Sequence, residues 1–210
     1  MKLKTLFLFA GIAFLFTACQ KEVDLQDTIN NPPPGGGTNN NSILGTWNFV
    51  GMVASTKSTL VAGTGIDEEK AITSYGFISK NNVGTVTIDA TNFTSAAVGY
   101  SIDTVITTEL YLGGVFVDSF DTDFAFTMPL ASGKAPYKAV GNDSIYFASG
   151  FISLDPKASP TATIASGSKI AWSGDTLLLK TIYANTQDQV VNGITAKRSD
   201  YISQVVKLKK

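Results

Sequence analysis

The chain carries one thiol, Cys19, and no histidine in 210 residues. A lone cysteine cannot form an internal disulfide or a thiolate zinc site. Without imidazole there is no Ser-His-Asp triad, no Cys-His pair and no histidine-held metal. What remains for chemistry is Cys19 and the carboxylates. Asp118, Asp121 and Asp123 stand close together, yet on an extended chain they alternate sides. They also lack the Asp-x-Asp-x-Asp-Gly spacing of a calcium loop, so neither a metal nor a cofactor is expected. Glycoside hydrolysis needs two carboxyl groups at a fixed separation, and among 17 acidic residues no pair stands out. The residues therefore read as those of a binding or interaction protein and not of an enzyme. Asp118 shares parity with Phe116 and Phe120, which points it to an apolar side as a ligand contact; the plain alternative is a strand-end carboxylate near solvent.

The elements that would carry these groups fall into three parts. Lys2 and Lys4 precede an uncharged apolar run over residues 6–16, too short to span roughly 30 Å of hydrocarbon as a helix and suited to a cleaved secretory signal over residues 1–18. Phe16-Thr17-Ala18-Cys19 resembles a bacterial lipobox. The resemblance implies that Cys19 is lipidated and becomes the first residue of the mature protein, with outer-membrane lipid as its partner. Gln20-Lys21-Glu22-Val23-Asp24 resembles the export signal of Bacteroidota lipoproteins, which implies a cell-surface position; the alternative is a solvated tether. Pro32-Pro33-Pro34-Gly35-Gly36-Gly37 cannot bury anything, so residues 19–41 form a disordered spacer behind the lipid.

From residue 42 to 210 the text is that of one all-β domain, rich in Val, Ile, Thr, Phe and Tyr and punctuated by Gly, Asn and Asp. Residues 57–74 break the pattern and predict a long loop with one helical turn. Val86 and Ile88 share one face of a strand over 84–90. Over 98–128, Tyr100, Ile102, Ile106 and then Phe116, Phe120, Phe124 and Phe126 mark the dry faces of a hairpin. A three-residue loop, Leu112-Gly113-Gly114, would pair Ile106 with Phe120, Ile102 with Phe124 and Tyr100 with Phe126, with Gly114 left-handed at a bulge. Further strands are expected over 137–140, 144–147, 169–172, 176–183 and 201–208. Antiparallel neighbours on tight turns make a meander, which closes into an eight- to ten-stranded barrel or, alternatively, flattens into a two-sheet sandwich. A net charge of −1 provides no field for nucleic acid.

Gly45-Thr46-Trp47, at the start of this domain, resembles the opening motif of lipocalin-like barrels. The resemblance implies a calycin-type barrel in which an arginine near the last strand packs over the motif tryptophan. Arg198, the chain's only arginine, stands at that place, so Gly45, Trp47 and Arg198 would close the barrel; an exposed basic residue beside Lys197 is the alternative. Tyr100, Phe116, Asp118, Phe120, Phe124 and Phe126 would then line a site for a small apolar or amphipathic ligand, or, for the rings, simply fill the core. The reading that follows is a lipid-anchored envelope protein with a ligand-binding barrel. Its alternative is an interaction module of a surface uptake or assembly complex, with a filled core and an envelope protein as partner.

Overall fold

The computed structural model describes residues 42–148, 165–191 and 193–210. The expected signal peptide (1–18), Cys19 and the expected tether (19–41) lie outside the described residues. Within them, β-branched and aromatic residues between Gly, Asn and Asp turns build ten strands. These are β1 (Gly45–Ala62), β2 (Glu69–Ile78), β3 (Lys80–Ile88), β4 (Asn92–Leu112), β5 (Val115–Pro136), β6 (Lys138–Val140), β7 (Ser144–Phe147), β8 (Ser166–Ser173), β9 (Thr176–Val191) and β10 (Ile194–Lys209).

All pairings are antiparallel, and the sheet is a meander whose last strand returns to its first, β10 pairing with β1. β2 and β3 lie end to end between β1 and β4, since each pairs with both. Their junction is held by Ser79, whose N–H donates to the Met52 carbonyl at 2.8 Å while its hydroxyl accepts the Met52 N–H at 2.7 Å. β5 continues into β6 through Tyr137. At this corner Pro136 still pairs with Asn92 of β4, and Lys138 already pairs with Tyr146 of β7. The Tyr137 N–H between them donates to the Thr91 carbonyl at 2.9 Å. Chain continuity thus closes the ring at one end of the strands.

That closed end holds the core. Trp47 and Phe49 of β1, Val86 and Ile88 of β3, Phe93 of β4, Phe147 of β7, Leu177 and Leu179 of β9 and Leu208 of β10 are buried together. Phe93 meets Phe147 across the ring at 5.0 Å, edge to face, and Tyr137 at 5.0 Å; Trp47 meets Trp172 of β8 at 5.7 Å. Each buried large side chain is worth about 1.5–3 kcal/mol of transfer free energy, so this short segment of the ring supplies most of the folding drive.

At the other end the ring is not closed among the described residues. β7 stops at Phe147, and β8 pairs with β9 only as far as Ser168↔Thr181, where the two hydroxyls share a buried hydrogen bond of 2.6 Å. Beyond that level β9 pairs only with β10, and β5 pairs only with β4, among the described residues. At about 3.3 Å per residue, β9 over 182–191 reaches roughly 30 Å past the core. The expected loop over 57–74 is corrected here: β1 runs on to Ala62 and β2 starts at Glu69, leaving a 3-10 turn over Gly65–Asp67. The Thr and Ser residues of 57–74 obscured the alternation because both faces at this level are partly wet.

Candidate functional site

Residues paired directly across antiparallel strands share a face, so the registers can be followed across the open wall from β5 to β9. One row runs Asp118, Leu110, Ala71, Leu60, Arg198, Gln187; the next runs Phe120, Thr108, Thr73, Ser58, Asp200, Asn185. This is the face that, further down the same strands, carries the core residues Met52, Leu179 and Val206. The inner face of the wall is therefore mixed: Asp118 and phenylalanines on β5, the buried Leu60 and Ala71 beside a row of hydroxyls in the middle, and a charged pair on β10. Thr73 and Thr108 share a hydrogen bond of 3.2 Å in the middle. On β10, Arg198 Nε sits 2.9 Å from Asp200 Oδ2, both side chains only 16% exposed. Burial, with the Asp200 carboxylate beside it, raises the pKa of Tyr183, opposite Ile202 on the same face.

The candidate lining residues divide. Phe120, Phe124 and Phe126 lie on the inner face opposite Thr108, Thr104 and Ile102, with Phe120 exposed and the other two half-buried. Tyr100 stands at the floor of the wall against Phe49, ring centroids 6.0 Å apart, and its phenol is shifted upward by burial. Phe116 is a correction. It pairs with Tyr111 while Asp118 pairs with Leu110, so Val117 is a bulge residue and Phe116 turns to the outer face, edge-on to Tyr111 at 5.7 Å. Asp118 keeps the inner face but is exposed, and its carboxylate accepts the Ser119 N–H at 2.8 Å; the strand-end alternative describes it. The hairpin register is corrected for the same reason. The turn is the two-residue Gly113-Gly114, and the bulge shifts Ile106 to Thr122, Ile102 to Phe126 and Tyr100 to Met128, preserving the faces but moving each partner by two residues.

The barrel-closing set also divides. Gly45 (φ 129) is in a conformation open to glycine, and Trp47 beside it is 1% exposed, its indole N–H donating to the Ile43 carbonyl at 2.8 Å. Arg198 does not reach it. Arg198 pairs with Leu60, far along β1 from Trp47, and belongs to the wall. The cation over the indole is Lys210, its Nζ 4.7 Å from the ring. Its even parity with Val206 and Leu208, both buried, was the signal that places it above the floor.

Two depressions on the described surface are open to solvent. One, of about 360 Å³, lies against β1, β9 and β10 and includes Lys57, Thr186 and Tyr201; the other, of about 280 Å³, lies at the closed end between Tyr137, Asn142 and Trp172. Neither includes the aromatic residues of β5.

No family model matches the chain, and no curated protein does. Among solved structures, the chain is similar to Ail, the attachment invasion locus protein of Yersinia pestis, at a TM-score of 0.21 and 6% identity, over 79% of this chain and 99% of Ail. An overlap that low leaves function to be argued from this chain's own residues.

Proposed function

We propose that this chain is a lipid-anchored cell-envelope protein, held to outer-membrane lipid through Cys19, whose lipocalin-like barrel uses a filled base to support an open wall that binds an amphipathic ligand without transforming it. The observation that carries this reading is the division of one face between two flanks: Phe120 and Phe124 at one side and the half-dry Arg198–Asp200 pair at the other, with the Thr73–Thr108 hydroxyls and the buried Leu60 and Ala71 between. An apolar body and a polar head would each find a matching flank. The native tryptophans sit at the closed end, so a reporter belongs on the wall. The Phe120→Trp variant of the full chain, titrated with a lysophospholipid below its micelle concentration, should show a saturable blue shift, while the wild-type emission stays constant. No shift with either a lysophospholipid or a fatty acid would overturn the reading. Lipidation has a separate test: Cys19→Ala should move the protein from the membrane fraction to the soluble one.

A second reading, an interaction module for an envelope protein, is favoured by the packed closed end, where Phe93 and Leu177 are 0% exposed. Native mass spectrometry of the full chain released from membranes separates the two. A retained lipid-sized mass supports the first, and a co-purifying protein without one supports the second.

A further inference from the structure

The ladder ends at β5, which among the described residues pairs with β4 and with nothing else. An edge strand offers a row of unpaired backbone N–H and C=O groups, and folded proteins normally blunt such edges with lysine, proline, bulges or short length. β5 is long, and between Asp118 and Met128 it carries no lysine and no proline. Its ladder with β4 is continuous from Asp118↔Leu110 to Met128↔Tyr100. What it carries instead is acid. Asp118, Asp121 and Asp123 are exposed, and no basic residue appears on β5 before Lys134. On the neighbouring strand, Asp103 and Glu109 add to the same sign, offset near Asp103 by Lys80 at 3.7 Å.

Like charges directly opposite each other weaken a strand pair, and opposite charges strengthen it. Two β5 edges brought together antiparallel over this stretch would face acid with acid, so the strand is protected from its own copies while its backbone on that side has no partner among the described residues. Among the described residues of a second copy, Lys207 and Lys209 lie in β10, which is paired on both sides with β1 and β9. The free edge of β9 lacks this bias, because its Asp188 is neutralised by Lys197 at 3.2 Å.

We infer that the β5 edge is a docking strand for an extended, basic segment of another polypeptide, added to the sheet by backbone pairing and selected by charge. The edge shares β5 with the inner face that would hold an amphipathic ligand but engages the backbone and the outer-face Asp121 and Asp123 rather than Phe120 and Phe124, so peptide binding and ligand binding are read out separately.

The test uses the full chain in detergent with a labelled twelve-residue peptide alternating lysine with threonine, and a glutamate-for-lysine counterpart. The lysine peptide should bind saturably and slow amide exchange over residues 118–128, whereas the glutamate peptide should not. The Asp121→Lys/Asp123→Lys variant should shift the ratio of the two affinities by at least about tenfold toward the glutamate peptide. If that variant does not fold, Asp121→Asn/Asp123→Asn serves instead and should lose the preference for lysine. Equal binding of both peptides overturns the inference, as does binding with exchange slowed on β9 or on no strand. An affinity ratio unchanged in the variants overturns it too.

Discussion

The two ends of the barrel use the same strands for opposite purposes. At the closed end, β1, β4 and β9 contribute Trp47, Phe93 and Leu177, which are at most 1% exposed; at the open end the same three strands contribute Ser58, Thr108 and Asn185, which face a half-wet surface. The difference teaches that strand pairing alone does not make a core. Apart from Leu60, Ala71 and Ala196 on the wall, the deeply buried apolar side chains lie where the ring around them closes, and closure here depends on the short β6, β7 and β8 standing opposite one end of the long strands. The free energy of folding is concentrated at that end. The wall is held by backbone ladders and by its continuity with the base.

This contrast can be broken most directly by truncating a ring at each end. Phe93→Ala should cost about 3–5 kcal/mol in urea unfolding, by lost transfer energy and a cavity the packed ring cannot collapse around. Phe124→Ala, half-buried on the wall, should cost only about 1 kcal/mol. Equal costs would mean that the wall is as packed as the base. A backbone pair sharpens the same point. At Gly84 (φ 99) a Cβ would stand 2.5 Å from the Ala97 carbonyl oxygen, whereas at Gly114 (φ 80) it would meet nothing within 4 Å. Gly84→Ala should therefore cost roughly 2–3 kcal/mol, and Gly114→Ala only the local strain of about 1 kcal/mol.

A smaller effect is expected at the floor. Lys210→Gln should lose about 0.5–1 kcal/mol of cation–π energy and change the near-ultraviolet signal of Trp47. Arg198→Gln, on the wall, should leave that signal unchanged. The smallest effect concerns Asp89, whose carboxylate accepts the Thr91 and Asn92 N–H groups at 2.8 and 2.7 Å and so ties the β3–β4 turn at the base. These backbone hydrogen bonds hold its pKa below the ordinary carboxylate value. Its contribution to stability should be fully present above that ordinary value and fade as the pH falls through the lowered one. In Asp89→Asn the acid limb of the stability profile should flatten; an unchanged limb would show that the turn adds no pH dependence.

How much of this was legible depends on what each residue had to satisfy. Val86 and Ile88, and Phe120, Phe124 and Phe126, each alternate with polar neighbours, and their faces follow from the two-residue period whatever the partner strand. The β4–β5 register did not follow. Its faces could be kept by a three-residue turn or by a two-residue turn with a bulge, and only the approach of Tyr111 to Phe116 and the seating of Gly113 against Ile66 distinguish the two. The segment 57–74 looked irregular because polar Ser58 and Thr73 share its inner face with the buried Leu60 and Ala71, which interrupts the apolar alternation. Arg198 was drawn to Trp47 by resemblance, yet strand register fixes it beside Leu60, and the cation over the indole is Lys210, which shares parity with the buried Val206 and Leu208.

Composition and alternation alone determined the class: a single all-strand domain, with no imidazole and one thiol, its apolar faces marked by rings at even spacing. These are local properties, written in which neighbours a side chain can share a face with. Where the ring shuts, which end fills and which stays wet, and that β5 pairs only with β4 among the described residues were decided by the tertiary fold. Those outcomes depend on the relative lengths of strands distant in sequence and on bulges that shift their partners, and no local pattern encodes either.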